Sequence, residues 1–267
     1  MKDILEEIVA HKRVEVERSK RLRPMSVISK EAEQFIAEGR HEVISLSRRL
    51  STSPSGIIAE FKRRSPSKGW IKESGKAEEI PLSYSLHGAS GISILTDEHY
   101  FGGCQQFLET ARRLVADTPI LRKDFIIDEY QLFETRLMGA DAVLLIASDL
   151  KQEECRRFAH LAHELGLETL LEIHSESELD YVGENIDMVG VNNRHLGTFH
   201  TDVATSFRLA SMLPKDYVLV SESGISLPQT VRELREGGFR GFLIGETFMR
   251  CDNPGEALGK FIEKVVG

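Results

Sequence analysis

Eight short apolar segments, each followed by a segment of helical periodicity, alternate along residues 57–265 of this 267-residue chain. The strands predicted from these segments cover residues 57–61, 91–96, 120–123, 142–147, 169–173, 188–192, 218–221 and 242–244. The predicted helices cover residues 77–87, 105–115, 129–138, 151–165, 175–182, 204–213, 228–236 and 254–265. Strands that are apolar on both faces are typical of a parallel sheet covered by helices. Eight such units in about 200 residues predict an α/β fold, a closed (β/α)8 or TIM barrel.

An open doubly wound sheet is the alternative fold for this pattern. Sheets of that kind usually have fewer units, and those that bind dinucleotides carry a GxGxxG turn. This chain contains no GxGxxG sequence. The closed barrel is therefore the predicted fold.

Residues 1–55 form a helical extension before the first strand, with helices predicted at residues 2–20, 27–39 and 43–50 and a break at Pro24. An extension of this length is too short for a core of its own. We therefore expect one domain over residues 1–267. In it, the extension packs on the barrel and covers part of its mouth or lower rim.

Composition and charge exclude several classes of partner. The net charge of -8 and the isoelectric point of about 5.7 are unlike those of a nucleic-acid-binding surface. The three cysteines are far apart and form no CxxC, which predicts neither a zinc site nor a disulfide framework. The N-terminus has no apolar signal segment, and the longest aliphatic run, residues 142–147, is too short to span a membrane. We expect a cytoplasmic monomer with no nucleic-acid or membrane partner and no metal.

Charged and amide side chains follow five of the predicted strands at the ends where a barrel of this kind has its active site. They are Glu60 and Lys62, then Arg122, Lys123 and Asp124, then Glu172, then Asn192, Asn193 and Arg194, and last Glu222 and Ser223. Each has a structural explanation on its own: Lys123 and Glu172 could form a buried ion pair, and Arg194 could cap a helix. Five strands with such residues at one end favour a catalytic site, because buried ion pairs rarely improve stability.

Three loops have the composition of an anion site. Residues 63–67, which include Ser65, are basic and rich in hydroxyl groups. The turns Ser223-Gly224 and Gly245-Glu246 follow the seventh and eighth strands, where barrels of this kind commonly bind phosphate. Their glycines let backbone N–H groups approach phosphate oxygens. The carboxylate of Glu246 would repel phosphate, but its N–H can donate if the side chain points to solvent.

Eight segments are long or unusual enough to be compared with known families. They are IIAEFKRRSPSKG (57–69), ISILTDEHYFGG (92–103), LRKDFIIDEYQ (121–131), GADAVLLIA (139–147), LLEIHSESEL (170–179), GVNNRHLGTF (190–199), SESGI (221–225) and FLIGETFM (242–249). Together and in order, they resemble the indole-3-glycerol-phosphate synthase family, which also has a helical N-terminal extension. His195 stands where the family usually has Asp, and Glu246 where it often has Ser. Pro81 interrupts the helix predicted after the first strand.

The resemblance implies a carboxy-lyase that converts 1-(2-carboxyphenylamino)-1-deoxyribulose 5-phosphate to indole-3-glycerol phosphate, CO2 and water. This is the ring-closing step of tryptophan biosynthesis. The only small molecule that it implies is this phosphorylated substrate, with no metal and no organic cofactor.

The same resemblance implies a role for each site residue. Lys123 is the general acid of ring closure, Glu172 is the general base in the dehydration, and Lys62 holds the anthranilate carboxylate or acts as a second acid. Orientation of these lysines and of the ribulose hydroxyls is assigned to Glu60, Asn192 and Glu222. The aromatic ring is sandwiched between Phe101 and Phe125. The other residues assigned to substrate binding are Ser65, Arg194, Ser223, Gly224, Gly245 and Glu246. An acid role near neutral pH also predicts that the pKa of Lys123 is lowered by burial or by Lys62.

Two other functions fit a barrel of this kind. An enzyme of the phosphoribosylanthranilate isomerase type is expected to have a Cys or Asp at the end of the first strand, where this chain has Glu60 and Lys62. A non-catalytic binding protein with this fold would not need charged residues at five strand ends. The sequence therefore favours the synthase over both.

Overall fold

The predicted strands close into a barrel. The computed structural model describes residues 4–195 and 200–267, so residues 2 and 3 of the first predicted helix and residues 196–199 of the quoted segments lie outside it. The strands are β1 (Ile57–Phe61), β2 (Arg64–Ser65), β3 (Gly69–Trp70), β4 (Gly91–Leu95), β5 (Ile120–Lys123), β6 (Ala142–Ile146), β7 (Glu168–Ile173), β8 (Met188–Asn192), β9 (Val218–Glu222) and β10 (Gly241–Ile244). β2 and β3 form a separate antiparallel hairpin, which the sequence did not predict. The other eight are parallel, and β1 pairs with both β4 and β10, which confirms the closed (β/α)8 barrel and excludes the open sheet.

Helices precede the barrel and cover its outside. They are α1 (Ile4–Leu22), α2 (Met25–Ala37), α3 (Leu46–Thr52), α4 (Ile80–Leu86), α5 (Gln105–Leu114), α6 (Tyr130–Leu137), α7 (Gln152–Glu164), α8 (Ala204–Ala210), α9 (Pro228–Glu236), α10 (Glu246–Met249) and α11 (Pro254–Val266), with 3-10 helices at Ala147–Asp149 and Glu176–Tyr181. Over residues 4–195 and 200–267, none of these helices is long and apolar enough to cross a membrane.

Two helices begin three residues later in the chain than the sequence predicted. α4 begins at Ile80, and Pro81 lies in its first turn, where a missing N–H breaks no helical hydrogen bond. The expectation that Pro81 interrupts this helix is therefore wrong. α3 begins at Leu46 because the Ser45 hydroxyl caps it by accepting a hydrogen bond from the Arg48 N–H.

The segment predicted as a helix at residues 175–182 forms only the short 3-10 helix Glu176–Tyr181. The Glu178 carboxylate accepts hydrogen bonds from the backbone N–H groups of His174 and Ser175. These bonds satisfy backbone N–H groups at the start of the segment, which continues as a short 3-10 helix.

The interior of the barrel is apolar in its middle and charged at the carboxyl ends of the strands. Side chains two residues apart on a strand share a face, so an inward apolar residue predicts an inward residue two positions later. Four strands show this pattern: Ile58 and Glu60, Leu121 and Lys123, Leu170 and Glu172, Val220 and Glu222. The charged groups thus stand as a layer on an apolar core.

The N-terminal extension contacts the barrel at its mouth, side and bottom. Ile8 of α1 packs in the same apolar cluster as Phe125 at the mouth, while α2 packs along α6. α3 lies under the barrel, where Leu46 and Leu50 are fully buried. A side chain at Gly91 or Gly241, the first residues of β4 and β10, would overlap or crowd these leucines. α3 therefore closes the end of the barrel opposite the cavity.

Candidate active site

A cavity of about 460 Å³ opens at the carboxyl ends of the barrel strands. It is lined by every residue that the sequence assigned to catalysis or substrate binding: Glu60, Lys62, Ser65, Phe101, Lys123, Phe125, Glu172, Asn192, Arg194, Glu222, Ser223, Gly224, Gly245 and Glu246. Apolar residues that the sequence analysis did not select also line it, among them Ile4, Leu5 and Ile8 of α1 and Ile146 of β6. Ile146 carried no chemical signal, whereas the apolar stripe of the first predicted helix could have indicated the α1 residues.

The ammonium group of Lys123 lies between two carboxyl groups. Its Nζ is 2.9 Å from Glu172 Oε2 and 2.9 Å from Glu222 Oε2. Burial by itself lowers the pKa of Lys123, but the surrounding carboxylates outweigh burial and hold this pKa above its usual value. The prediction of a lowered pKa is therefore wrong. Lys62, which was expected to lower it, pairs with Glu60 instead.

The two carboxyl groups that share Lys123 differ in pKa. Burial raises the pKa of both. At Glu172 the Lys123 ammonium outweighs burial and brings the pKa well below its usual value, and contacts from His174 and from Asn192 Nδ2, 2.8 Å from Oε1, lower it further. At Glu222 burial and the nearby Glu172 charge prevail, and the pKa is raised to about 7. Near neutral pH the site thus holds one ionised carboxylate and one partly protonated carboxyl group.

This difference predicts a pH-dependent effect of Glu222→Gln on stability. A carboxyl group with a raised pKa binds its proton more tightly in the folded than in the unfolded state, so its contribution to stability is lost as pH rises through about 7. Glutamine does not titrate. We expect the melting temperature of Glu222→Gln, relative to wild type, to increase between about pH 5 and pH 8 in thermal unfolding experiments.

Glu172→Gln is the control for this measurement, because the pKa of Glu172 is lowered. Its carboxylate stabilises the fold above the unfolded pKa and loses that contribution as pH falls. Glu172→Gln should therefore be less stable than wild type at neutral pH, with a deficit that shrinks in acid. Melting-temperature differences from wild type that are equal for the two variants and do not change with pH would show that the pKa values of the two carboxyl groups are not shifted in opposite directions.

Glu60 and Lys62 form an ion pair at the end of β1. Glu60 is buried, whereas the Lys62 side chain keeps 21% of its surface exposed at the cavity. A side chain at Gly245 would overlap the Glu60 carboxylate, so glycine is needed for the end of β10 to approach β1. The pair therefore leaves one ammonium group accessible to a ligand carboxylate.

Two turns beside the cavity have the backbone features of an anion site. Ser223 and Gly224 are consecutive residues with positive φ, 68° and 77°. This conformation costs Ser223 about 1 kcal/mol, and strain of this kind is concentrated at binding and active sites. After β10, α10 begins at Glu246, whose carboxylate lies 2.6 Å from Arg250 Nη2. Arg250 therefore offsets the negative charge that the sequence placed at this turn.

The β2–β3 hairpin lies over one side of the cavity. Arg194 Nη1 donates to Ser67 Oγ at 2.8 Å, and the Arg64 N–H donates to the Phe101 carbonyl at 3.1 Å. The Ser65 hydroxyl is buried, and among the described residues no group is within hydrogen-bonding reach of it. It is therefore available to a ligand in the cavity.

Phe101 and Phe125 form part of the cavity wall. Their ring centroids are 5.9 Å apart and the rings are tilted by 41°, so they contact each other. A ring sandwiched between them would need two stacking contacts of about 3.5 Å each, or about 7 Å in all. The two ring centroids are closer together than this, so a substrate ring could enter between them only if they moved apart, and the sandwich stays a prediction.

One charged residue from the strand-end pattern lies away from the cavity. Arg122 is on the outer face of β5, where its guanidinium donates to the Gln131 carbonyl at 2.8 Å and to Thr135 Oγ1 at 3.0 Å. It also pairs with Asp124 at 3.0 Å. Arg122 therefore joins β5 to α6. Among the residues that the structure describes, no cluster of three or more His, Cys, Asp or Glu side chains is placed to hold a metal ion.

Comparison with known proteins gives consistent matches over nearly the whole chain. A family model described as indole-3-glycerol phosphate synthase matches residues 5–261. The indole-3-glycerol phosphate synthase of Bacteroides thetaiotaomicron is 60% identical over 99% of this chain and 100% of that protein. The enzyme of the same name from Chromobacterium violaceum is 42% identical over 97% of this chain and 98% of its own length.

Solved structures share the fold at low sequence identity. Thiamine phosphate pyrophosphorylase from Pyrococcus furiosus superposes with a TM-score of 0.61 at 16% identity, covering 84% of this chain and all of that one. A mutant tryptophan synthase alpha-subunit from the same organism gives a TM-score of 0.60 at 17% identity, covering 80% of this chain and 98% of that one. At such identities the likeness concerns the barrel alone.

The fold and the charged cavity at its mouth define a barrel enzyme with its active site at the carboxyl ends of the strands. The sequence matches then specify which one: the chain belongs to the indole-3-glycerol phosphate synthase family. It is a carboxy-lyase of tryptophan biosynthesis. The isomerase and the non-catalytic barrel are accordingly not supported.

Proposed function

We propose that this enzyme closes the pyrrole ring of indole-3-glycerol phosphate from 1-(2-carboxyphenylamino)-1-deoxyribulose 5-phosphate, with loss of CO2 and water. The observation that carries the residue assignment is the Lys123 ammonium held between Glu172 and Glu222 inside the cavity. That arrangement places a proton donor, Lys123, and an ionised base, Glu172, close enough together for both to contact one bound substrate. We also keep the sequence-based prediction of a cytoplasmic monomer.

Lys123 acts as the acid of ring closure. The aromatic carbon that bears the carboxylate attacks the C2 carbonyl, and the carbonyl oxygen becomes an alkoxide. An alkoxide is more basic than an amine, so even a lysine with a raised pKa transfers its proton to it favourably. The raised pKa has a use here, because it keeps Lys123 protonated before the substrate binds.

Glu172 acts as the base in the later dehydration. Once CO2 has left, the new hydroxyl departs as water with help from an acid, and a base removes the proton that completes the indole. Glu172 is ionised at neutral pH, and its carboxylate accepts a hydrogen bond from Asn192 Nδ2. This hydrogen bond fixes the orientation of the carboxylate toward the proton that it removes. Glu222 orients Lys123 from the other side.

Lys62 and the aromatic wall position the anthranilate part. The accessible Lys62 ammonium binds the ring carboxylate, with Glu60 fixing it from below. The ring packs against Phe125 and Phe101, and Ile8 of α1 closes the apolar side. Arg194 and the free Ser65 hydroxyl face the ribulose chain from the rim.

The phosphate binds at the turns Ser223-Gly224 and Gly245-Glu246, and Gly224→Val tests this. Valine at Gly224 must adopt a positive φ, and its Cβ would lie 2.5 Å from Thr201 Cγ2, so the turn must move. We expect KM to rise roughly tenfold or more with a smaller change in kcat, because the phosphate contributes binding energy far from the reacting atoms.

Gly166→Val is the matched control for the phosphate turn. Gly166 has nearly the same φ, 76°, but follows α7 at the opposite end of the barrel with open space around it. It should lose stability and keep its KM. Wild-type KM and wild-type inhibition by inorganic phosphate in Gly224→Val would show that the phosphate binds elsewhere.

The reaction itself is tested by incubating the purified protein with the carboxyphenylamino-deoxyribulose phosphate, with a chelator present and no metal added. Indole fluorescence is expected to appear with turnover, accompanied by one equivalent of CO2. Signals no greater than those of a heat-inactivated sample would overturn the proposal.

A further inference from the structure

Lys12, in the middle of α1, is buried although it carries a charge. It is 4% exposed, and its Nζ lies 2.9 Å from Asp97 Oδ2 and 3.0 Å from Asp124 Oδ1. Glu15 Oε2 is 2.6 Å away on the next turn of the helix. Asp97 and Asp124 are themselves almost fully buried. The sequence analysis named only Asp124 of this cluster, among the charged residues at the strand ends, and the proposed reaction uses none of the four residues.

Each of the two aspartates also holds the backbone of a cavity phenylalanine. Asp97 Oδ1 accepts hydrogen bonds from the N–H groups of Tyr100 (2.8 Å) and Phe101 (3.2 Å). Asp124 Oδ1 accepts from the N–H of Phe125 at 2.9 Å. The Lys12 ammonium therefore bridges the two loops whose aromatic rings touch in the cavity.

Lys12 also lies on the stripe of α1 that faces the barrel. Ile4, Ile8, Lys12 and Val16 recur every four residues, and the first two line the cavity. Val16 packs instead with Ile28 and the neighbouring cluster at the side of the barrel. Lys12 thus stands where the cavity-lining half of α1 meets the half that is packed on the side.

A buried ion cluster contributes geometry more than stability. Apolar replacement of such a cluster is often neutral or stabilising, because desolvation offsets the attraction between the charges. An ammonium held by three carboxylates, however, has a position defined within hydrogen-bond distances, which apolar packing does not impose. Burial raises the pKa of Asp124, but Lys12 and Arg122 outweigh burial and lower it to about 2, so the aspartate stays charged at any working pH.

We propose that Lys12 is a positioning residue that fixes α1 across the cavity mouth and, through Asp97 and Asp124, sets Phe101 and Phe125 for the substrate's aromatic ring. The inference rests on the proposed function, since it is the anthranilate ring that these side chains would contact. Lys12 touches no substrate atom and acts through the two aspartates.

The test compares Lys12→Met with Lys20→Met. Lys20 is on the same helix and also pairs with an aspartate, Asp128 at 2.6 Å, but its side chain is 29% exposed and lies outside the cavity. We expect Lys12→Met to raise KM about tenfold or more, because small misplacements of binding groups are costly, while kcat stays within about threefold. Lys20→Met should match wild type in both.

A second readout does not require turnover. Trp70 is the single tryptophan, and its ring packs against Gly102, the residue after Phe101. A shift of the loop that Asp97 holds should change Trp70 emission in Lys12→Met and leave it unchanged in Lys20→Met. Backbone hydrogen exchange in α1 should also be faster in Lys12→Met. Both signals appear even if the substrate is not the one proposed, so they separate this inference from the proposed function.

The double variant Lys12→Met/Asp97→Asn covers the possibility that Lys12→Met fails to fold. Asparagine keeps an acceptor for the Phe101 N–H and removes the unpaired charge. If Lys12 positions Phe101 and Phe125 for the substrate ring, the folded double variant keeps the raised KM and the changed Trp70 emission. Wild-type KM, or wild-type Trp70 emission with wild-type exchange in α1, in either folded variant would overturn the proposal.

Discussion

Lys123→Met is expected to lower kcat at least about a hundredfold and to change KM much less, since one positioned acid typically contributes about 10²–10⁴-fold. Methionine keeps most of the length of the side chain and removes the proton that the C2 alkoxide must receive. The ammonium is held 2.9 Å from both Glu172 and Glu222, a position that a water molecule in the cavity of the variant would not reproduce. Steady-state kcat and KM, with circular dichroism to check folding, measure the effect.

Ring closure should become the slow step in Lys123→Met. CO2 and indole should then appear together in a single turnover, and a solvent isotope effect on kcat should be seen. Lys68→Met is the control, because Lys68 is an exposed lysine in the hairpin turn beside the mouth and does not line the cavity. A folded Lys123→Met variant with near-wild-type kcat would make Lys123 structural and pass the acid role to Lys62.

Glu172→Gln is expected to lower kcat by a similar factor, at least about a hundredfold, through a different step. Glutamine can still accept the hydrogen bond from Asn192, but it cannot take a proton. Ring closure and decarboxylation should continue, so CO2 should be released in a burst before indole fluorescence develops. Rapid-quench measurement of CO2 beside stopped-flow fluorescence distinguishes this variant from Lys123→Met, which should show no such burst.

The matched control for Glu172 is Glu168→Gln, at the other end of the same strand. The Glu168 carboxylate accepts hydrogen bonds from Ser45 Oγ and from the Ser47 N–H, which attach α3 to the bottom of the barrel. Its loss should reduce stability without reducing kcat. If Glu172→Gln releases CO2 and indole together at a near-wild-type rate, Glu172 is not the base and Glu60 becomes the candidate.

The inward layer of charged residues could be predicted because it follows from short-range rules. Alternation along a strand places Glu172 on the same face as Leu170, and closure of parallel strands brings all their carboxyl ends to one mouth. The same rules could not say that Glu172 and Glu222 would titrate so differently. That difference depends on distances between strands, on burial and on which carboxylate Asn192 contacts.

Other features escaped prediction because they depend on tertiary contacts. Arg122 and Lys123 are neighbours in sequence and so point to opposite faces of β5, but only the fold shows that α6 supplies the partners of Arg122. The sequence gives no sign that Lys12 is buried, because α1 has many charged residues and the two aspartates that pair with Lys12 lie more than 80 positions away. The contact between the Phe101 and Phe125 rings likewise depends on how two loops meet.

Placing α3 under the barrel has a consequence for how the chain is made. Leu50 of α3 leaves the ribosome before any barrel strand, yet it packs at Gly241, where the last strand begins. β1 likewise waits for β10 before its second edge is paired. Such long-range closure is slow compared with local helix formation. During synthesis, Leu50 therefore remains without its partner at Gly241 until β10 has emerged, which makes this exposed leucine a natural contact for chaperones.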